Sequence, residues 1–81
     1  NKTNTLFQIY PNPATHTLHI YTNHSSTYTF TVFDANGKSI FSGKLIGQDN
    51  SIYIGNLAKG LYHIQLTNET QSTYNHSFIK M

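Results

Sequence analysis

In the run Thr27 to Asp34 apolar and polar side chains alternate as far as Val32: Tyr28, Phe30 and Val32 on one side, Thr27, Thr29 and Thr31 on the other. A β-strand turns successive side chains to opposite faces, so this period of two buries one face and leaves the other to solvent. A helix would spread the same residues around its surface. Comparable short runs recur along the chain: Leu6–Tyr10, Thr17–Thr22, Ser39–Leu45, Ser51–Ile54, Leu61–Thr67 and Thr73–Lys80. Turn signals separate them every eight to twelve residues or so, the spacing of a sandwich or barrel. The expected fold is all-β: a seven-stranded antiparallel β-sandwich, immunoglobulin-like, with no helix.

The turns carry their own chemistry. Pro11-Asn12-Pro13 ends the first strand, because proline lacks the amide donor that a central strand requires. Asn36-Gly37, following Asp34-Ala35, supplies positive φ at little cost and signals a hairpin. Gly47-Gln48-Asp49-Asn50 and Asn68-Glu69-Thr70-Gln71 read as further turns. Gly43 is a candidate bulge in the fourth strand. The predicted core is Leu18, Ile20, Tyr28, Phe30, Val32, Ile40, Ile52, Ile54, Leu57, Tyr62, Ile64 and Leu66. In the last strand either Tyr74, His76 and Phe78 or Ser77 and Ile79 face inward, and the reading favoured is Phe78 inward. Tyr62, opening a strand after Leu57-Ala58-Lys59-Gly60-Leu61, fits a tyrosine corner, whose hydroxyl ties back to upstream backbone.

At 81 residues the chain has room for one domain, expected over residues 6–81. Asn1-Lys2-Thr3-Asn4-Thr5 reads as the remnant of a linker (residues 1–5) in a chain cut from a longer protein. There is no cysteine, hence no disulfide brace and no thiolate metal site. No apolar run reaches the length of a membrane-spanning helix. All five basic residues are lysines, scattered at Lys2, Lys38, Lys44, Lys59 and Lys80. Without arginine there is no bidentate reader of phosphate or guanine, so no nucleic-acid partner is expected.

Catalysis needs groups that converge. The three carboxylates, Asp34, Asp49 and Glu69, all fall in turns, where such groups commonly hydrogen-bond local backbone. Asp34, two residues before Asn36-Gly37, fits that role. No serine sits in a Gly-x-Ser-x-Gly elbow. Five histidines are a visible excess. His19, His63 and His76 lie on expected strands, and His16 and His24 lie near turns. Outward-facing His19 and His63 on paired strands would suit Zn²⁺ or Cu²⁺, but none of the five has the usual ligand spacing. They read as exposed polar positions, and no metal, cofactor or enzymatic activity is expected. The Asn-x-Ser/Thr triplets at Asn1, Asn23, Asn68 and Asn75 carry no weight in so Asn- and Thr-rich a chain.

Four pieces of punctuation recur in a fixed order: Ile9-Tyr10-Pro11-Asn12-Pro13-Ala14, Val32-Phe33-Asp34-Ala35-Asn36-Gly37-Lys38, Leu57-Ala58-Lys59-Gly60-Leu61-Tyr62 and Ser77-Phe78-Ile79-Lys80-Met81. Together they resemble the type A C-terminal sorting domain of the type IX secretion system of Bacteroidota, from about residue 6 to the end. The resemblance implies a non-catalytic secretion signal that takes a cargo domain, fused upstream, through the outer-membrane translocon. It also implies shuttle proteins as partners, removal by a surface sortase, and cargo that is secreted or held at the cell surface. On this analogy Pro11, Asn12 and Pro13 form the first recognition motif, Gly37 and Lys38 the second, and Gly60 and Tyr62 the third. Phe78, Ile79 and Lys80 form the terminal one. The acid often found a few residues after the first motif is absent, its place taken by Thr15-His16-Thr17. The alternative is an immunoglobulin-like carbohydrate-binding or adhesive module, with Tyr21 and Phe33 stacking on sugar rings.

Overall fold

The computed structural model describes residues 7–22, 27–69 and 72–81. The expected linker, Leu6, His24 and the triplets at Asn1 and Asn23 lie outside these residues. Seven strands follow one another: β1 Phe7–Tyr10, β2 Thr17–Thr22, β3 Tyr28–Asp34, β4 Ser39–Leu45, β5 Asp49–Tyr53, β6 Gly60–Asn68 and β7 Thr73–Lys80. No helix occurs among the described residues. The strands form two sheets, one ordered β1-β2-β5 and the other β4-β3-β6-β7. All neighbouring strands are antiparallel. The all-β sandwich read from the alternation is therefore the fold.

The alternating residues build the interior. Leu18 and Ile20 from β2 are fully buried, as are Val32 from β3 and Ile64 from β6, and Tyr28, Phe30 and Leu66 complete the facing rows. Each such burial contributes about 1.5–3 kcal/mol. Phe7 joins the two sheets. Its ring meets Tyr28 edge-on with centroids 5.0 Å apart and Tyr74 at 4.9 Å, and both of those tyrosines belong to the other sheet. Phe78 is fully buried while Ile79 is half exposed, so the last strand faces inward as favoured.

The fourth strand departs from expectation. Ile40, predicted in the core, is 40% exposed. The register between β3 and β4 slips at Val32/Phe33: Val32 pairs with Phe41 and Phe33 with Ser39, leaving Ile40 as the extra residue of a bulge. Alternation resumes beyond it, with Phe41 against the core in an edge-on contact with Phe30 and Leu45 buried. The bulge is thus at Ile40 and not at Gly43, which pairs regularly with Phe30. Gly43 is small for a different reason: a Cβ there would lie 2.9 Å from Phe30 Cε2 and 3.0 Å from Cζ. The fifth strand starts two residues earlier than expected. Asn50, read as a turn residue, caps that turn from within β5 by accepting the Ile46 N–H at its side-chain oxygen, 2.9 Å away. Leu57 is only partly buried, packed against the rim of the core. Phe7, Ala14 and Leu45 join the core beyond the residues expected there.

Gly43→Ala tests the close approach to Phe30. Overpacking of this kind costs about 1–3 kcal/mol. Urea unfolding should show the loss as a lower midpoint with an unchanged slope.

Candidate functional site

The four motifs lie far apart in sequence, and the ladders bring them to one end of the sandwich. Asp34 pairs with Tyr62 and Tyr62 with Phe78, one row across β3, β6 and β7, while Gly60 pairs with Lys80 two rows further on. The first motif, in the connection between β1 and β2, reaches the same place from the other sheet.

The connection through Pro11, Asn12 and Pro13 docks on the end of β7. Asn12 Oδ1 accepts the Ile79 N–H at 3.0 Å across 67 positions of sequence. The Ala14 N–H donates to the Ile79 carbonyl at 2.8 Å, and the Met81 N–H donates to the Ala14 carbonyl at 2.8 Å. Ala14 and Lys80 form a parallel bridge, and Ala14 is fully buried. Two residues on, the His16 carbonyl accepts the Ile54 N–H at 2.7 Å. Segment 12–16 therefore ties the end of β7 to the three-stranded sheet. Both prolines, exposed at its start, have no N–H to leave unpaired.

The second motif is a self-contained turn. Asp34 donates its N–H to the Lys38 carbonyl at 2.9 Å, and Gly37 donates to the Asp34 carbonyl at 3.0 Å. The Asp34 carboxylate accepts the N–H groups of Asn36 and Lys38, both at 2.9 Å, which is the local backbone role expected of it. Gly37 sits at φ 86°, a region that costs other residues strain. In the third motif Gly60 has φ 151°, also closed to most side chains. The Tyr62 hydroxyl donates to the Ala58 carbonyl at 2.6 Å, so the tyrosine corner is present. Its ring stacks on Phe78, with centroids 5.6 Å apart and planes at 19°. Lys80 is 7% exposed, and its ammonium donates to the main-chain oxygen of Met81 at 2.9 Å. A lysine is rarely buried without such a partner.

The groups that chemistry would need are dispersed. Asp34 is at the motif end, whereas Asp49, paired with Tyr21, and Glu69, beyond Asn68, are at the other. His19 and His63 lie on different sheets, not on paired strands. Each instead meets the serine directly opposite it: His19 Nδ1 is 3.1 Å from Ser51 Oγ, and His63 Nδ1 is 3.1 Å from Ser77 Oγ. Among the described residues no group of three or more His, Asp or Glu could hold a metal ion. Tyr21 and Phe33 follow buried residues on β2 and β3 of opposite sheets. They therefore lie on opposite outer faces and make no common platform for a sugar ring.

What the site does offer is a backbone construction in which the first and third motifs hold the end of β7, where the fourth lies, beside the turn of the second. A family model described as the secretion system C-terminal sorting domain matches residues 8–81. The chain belongs to this family. A search of curated proteins finds no match. The sorting domain is a signal for type IX secretion; its family is non-catalytic, and its cargo leaves the cell, either secreted or attached at the surface. It therefore engages the type IX secretion machinery. No helix among the described residues is long and apolar enough to cross a membrane.

The Tyr62 corner and the Asp34 turn were expected from the sequence, whereas the contacts that join the first motif to the last strand were not. The Asn12–Ile79 bond and the burial of Ala14 are products of long-range pairing, for which local periodicity holds no signal. Asn12→Ala should release the Ile79 amide, exposed enough to turn to water, and cost about 0.5–1.5 kcal/mol in net stability. Hydrogen exchange at Ile79 should quicken selectively, with the amides of β3 and the middle of β6 unchanged.

Proposed function

We propose that the sorting domain is of type A and from Bacteroidota, and that the secretion machinery reads its last strand at the open edge of the four-stranded sheet. The observation that carries this is the direction of the β7 backbone. Among the described residues the strand beside β7 is β6, on one side. The N–H and C=O of Ile79 both point away from β6, toward Asn12 and Ala14. In an antiparallel ladder, residues two apart share that direction. Thr73, Asn75 and Ser77 therefore present their backbone groups to the open side, and such a row is a template for strand addition. Beyond Ser77 segment 12–14 already covers the edge, which confines the free part to the first five residues of β7. Up to six backbone hydrogen bonds are on offer there, each contributing about 0.5–1.5 kcal/mol net.

In this reading Pro11, Asn12 and Pro13 hold the terminal motif in place, Gly37 and Lys38 close the neighbouring hairpin, and Gly60 and Tyr62 seat Phe78. Ile79 and Lys80 finish the strand. Upstream of the domain, joined by a linker that takes in residues 1–5, stands the cargo, which the translocon exports with shuttle proteins and from which a surface sortase cuts the domain away. The exported cargo is then released or attached to anionic lipopolysaccharide. The three-plus-four division of strands and the corner tyrosine support an immunoglobulin-like classification.

The test is secretion of a fluorescent reporter with a signal peptide at one end and residues 1–81 at the other, in a type IX-competent bacterium. Deleting residues 74–81 should abolish secretion. Because that deletion also removes buried Phe78, Asn75→Pro is the sharper variant. Proline is tolerated where the N–H faces outward from an edge strand, so the fold should persist by circular dichroism while secretion falls at least several-fold. Equal secretion of all three fusions would sink the proposal.

A further inference from the structure

We propose that the outer face of the four-stranded sheet, at the end where the motifs meet, is a docking surface for an acidic protein surface within the export machinery. This rests on the sorting reading above and identifies a second contact beside the β7 edge. At this end of the face each strand contributes one apolar residue, Ile40 from β4, Phe33 from β3, Leu61 from β6 and Ile79 from β7, interleaved with Ser39, His63 and Ser77, which share the row of Phe33. Leu61 and Ile79 are directly opposite each other, 45% and 47% exposed. Phe33 is half-buried on the same face, and Ile40, left unpaired by the bulge next to it, is 40% exposed. Strands spaced about 4.8 Å apart make this apolar belt roughly 14 Å wide. Toward the other end the same face carries Thr29, Thr31, Ser42, Gln65, Thr67 and Asn75. The apolar residues are thus concentrated where the motifs converge and not scattered singly.

Charge names the occupant. Lys38 closes the β3–β4 turn and Lys59 stands just before β6, both exposed. The carboxylate at this end, among the described residues, is Asp34, whose Oδ1 already accepts two backbone N–H groups. At the far end the balance reverses, with Asp49 and Glu69 against Lys44. An apolar centre rimmed by cations fits a protein surface that presents carboxylates around an apolar patch, and such complementarity steers encounter and fixes orientation. Two exposed lysines are fewer than the roughly four to eight that mark a segment bound to anionic lipid, which favours a protein over a membrane.

The reporter fusion tests this, with the paired variants Lys38→Glu/Lys59→Glu and Leu61→Thr/Ile79→Thr. Threonine suits an exposed strand position, and the two lysines flank the strands, so both pairs should unfold thermally close to the parent. Each pair should lower secretion at least tenfold, whereas Lys44→Glu should secrete like the parent. The purified 81-residue chain should not sediment with phosphatidylglycerol vesicles. If both pairs are secreted like the parent, the docking surface is refuted and the sorting reading stands. If the unmodified fusion stays in the cell, the sorting reading fails and takes this inference with it. Vesicle binding lost in Lys38→Glu/Lys59→Glu would overturn the protein partner in favour of a lipid surface.

Discussion

The end of β7 is gripped from three directions, and the rest of the motif end depends on that grip. β6 pairs with it along its length. Asn12 and Ala14 hold Ile79 and Met81 from the open side. From within, Phe78 stacks on Tyr62, itself anchored by its hydroxyl to Ala58. An edge strand left alone frays, since half of its backbone groups and one flank of its side chains lack protein partners. Here the last three residues are the best restrained of the strand. The first five keep an open edge. One strand is thus divided into a fixed anchor and an accessible template, and the division falls where segment 12–14 ends its contact.

A sandwich of this size has little core to spare, because a short chain buries a smaller share of its surface than a long one. Its residues therefore serve more than one purpose. Phe7 fills the core and also locks the two sheets together through Tyr28 and Tyr74. Tyr62 supplies a buried ring, a hydrogen bond across the turn and the seat for Phe78. Asp34 uses its main-chain N–H, its carbonyl and its carboxylate within one hairpin.

The sandwich was legible because period two is a local signal. Tyr28, Phe30 and Val32 can be assigned to one face without knowing what they touch. Ile40 shows where that logic stops. A bulge adds one residue to one strand and shifts the phase, and nothing around Ser39-Ile40-Phe41 distinguishes a shifted phase from a straight one. The tyrosine corner and the Asp34 turn were legible because each closes within four residues or so. The docking of Asn12 on Ile79 was not, since it spans nearly the whole chain and uses an asparagine that also reads as an ordinary turn former. Gly43 is ambiguous in sequence: glycine in a strand marks either a bulge or a close approach, and only the position of the Phe30 ring decides for the close approach.

These particulars bear on what kind of signal the domain carries. Proline, glycine and asparagine at the motif positions contribute no reactive group. They set backbone direction, and the tyrosine and phenylalanine that accompany them lock the result by packing. On the reading proposed above, the secretion machinery recognises a rigid arrangement that the folded domain displays: an open stretch of edge beside an apolar belt with lysines at its rim. Because segment 12–14 reaches β7 only when the two sheets have come together, the covered end of that strand exists only in the folded sandwich. On this argument the motifs make folding itself a condition of the address.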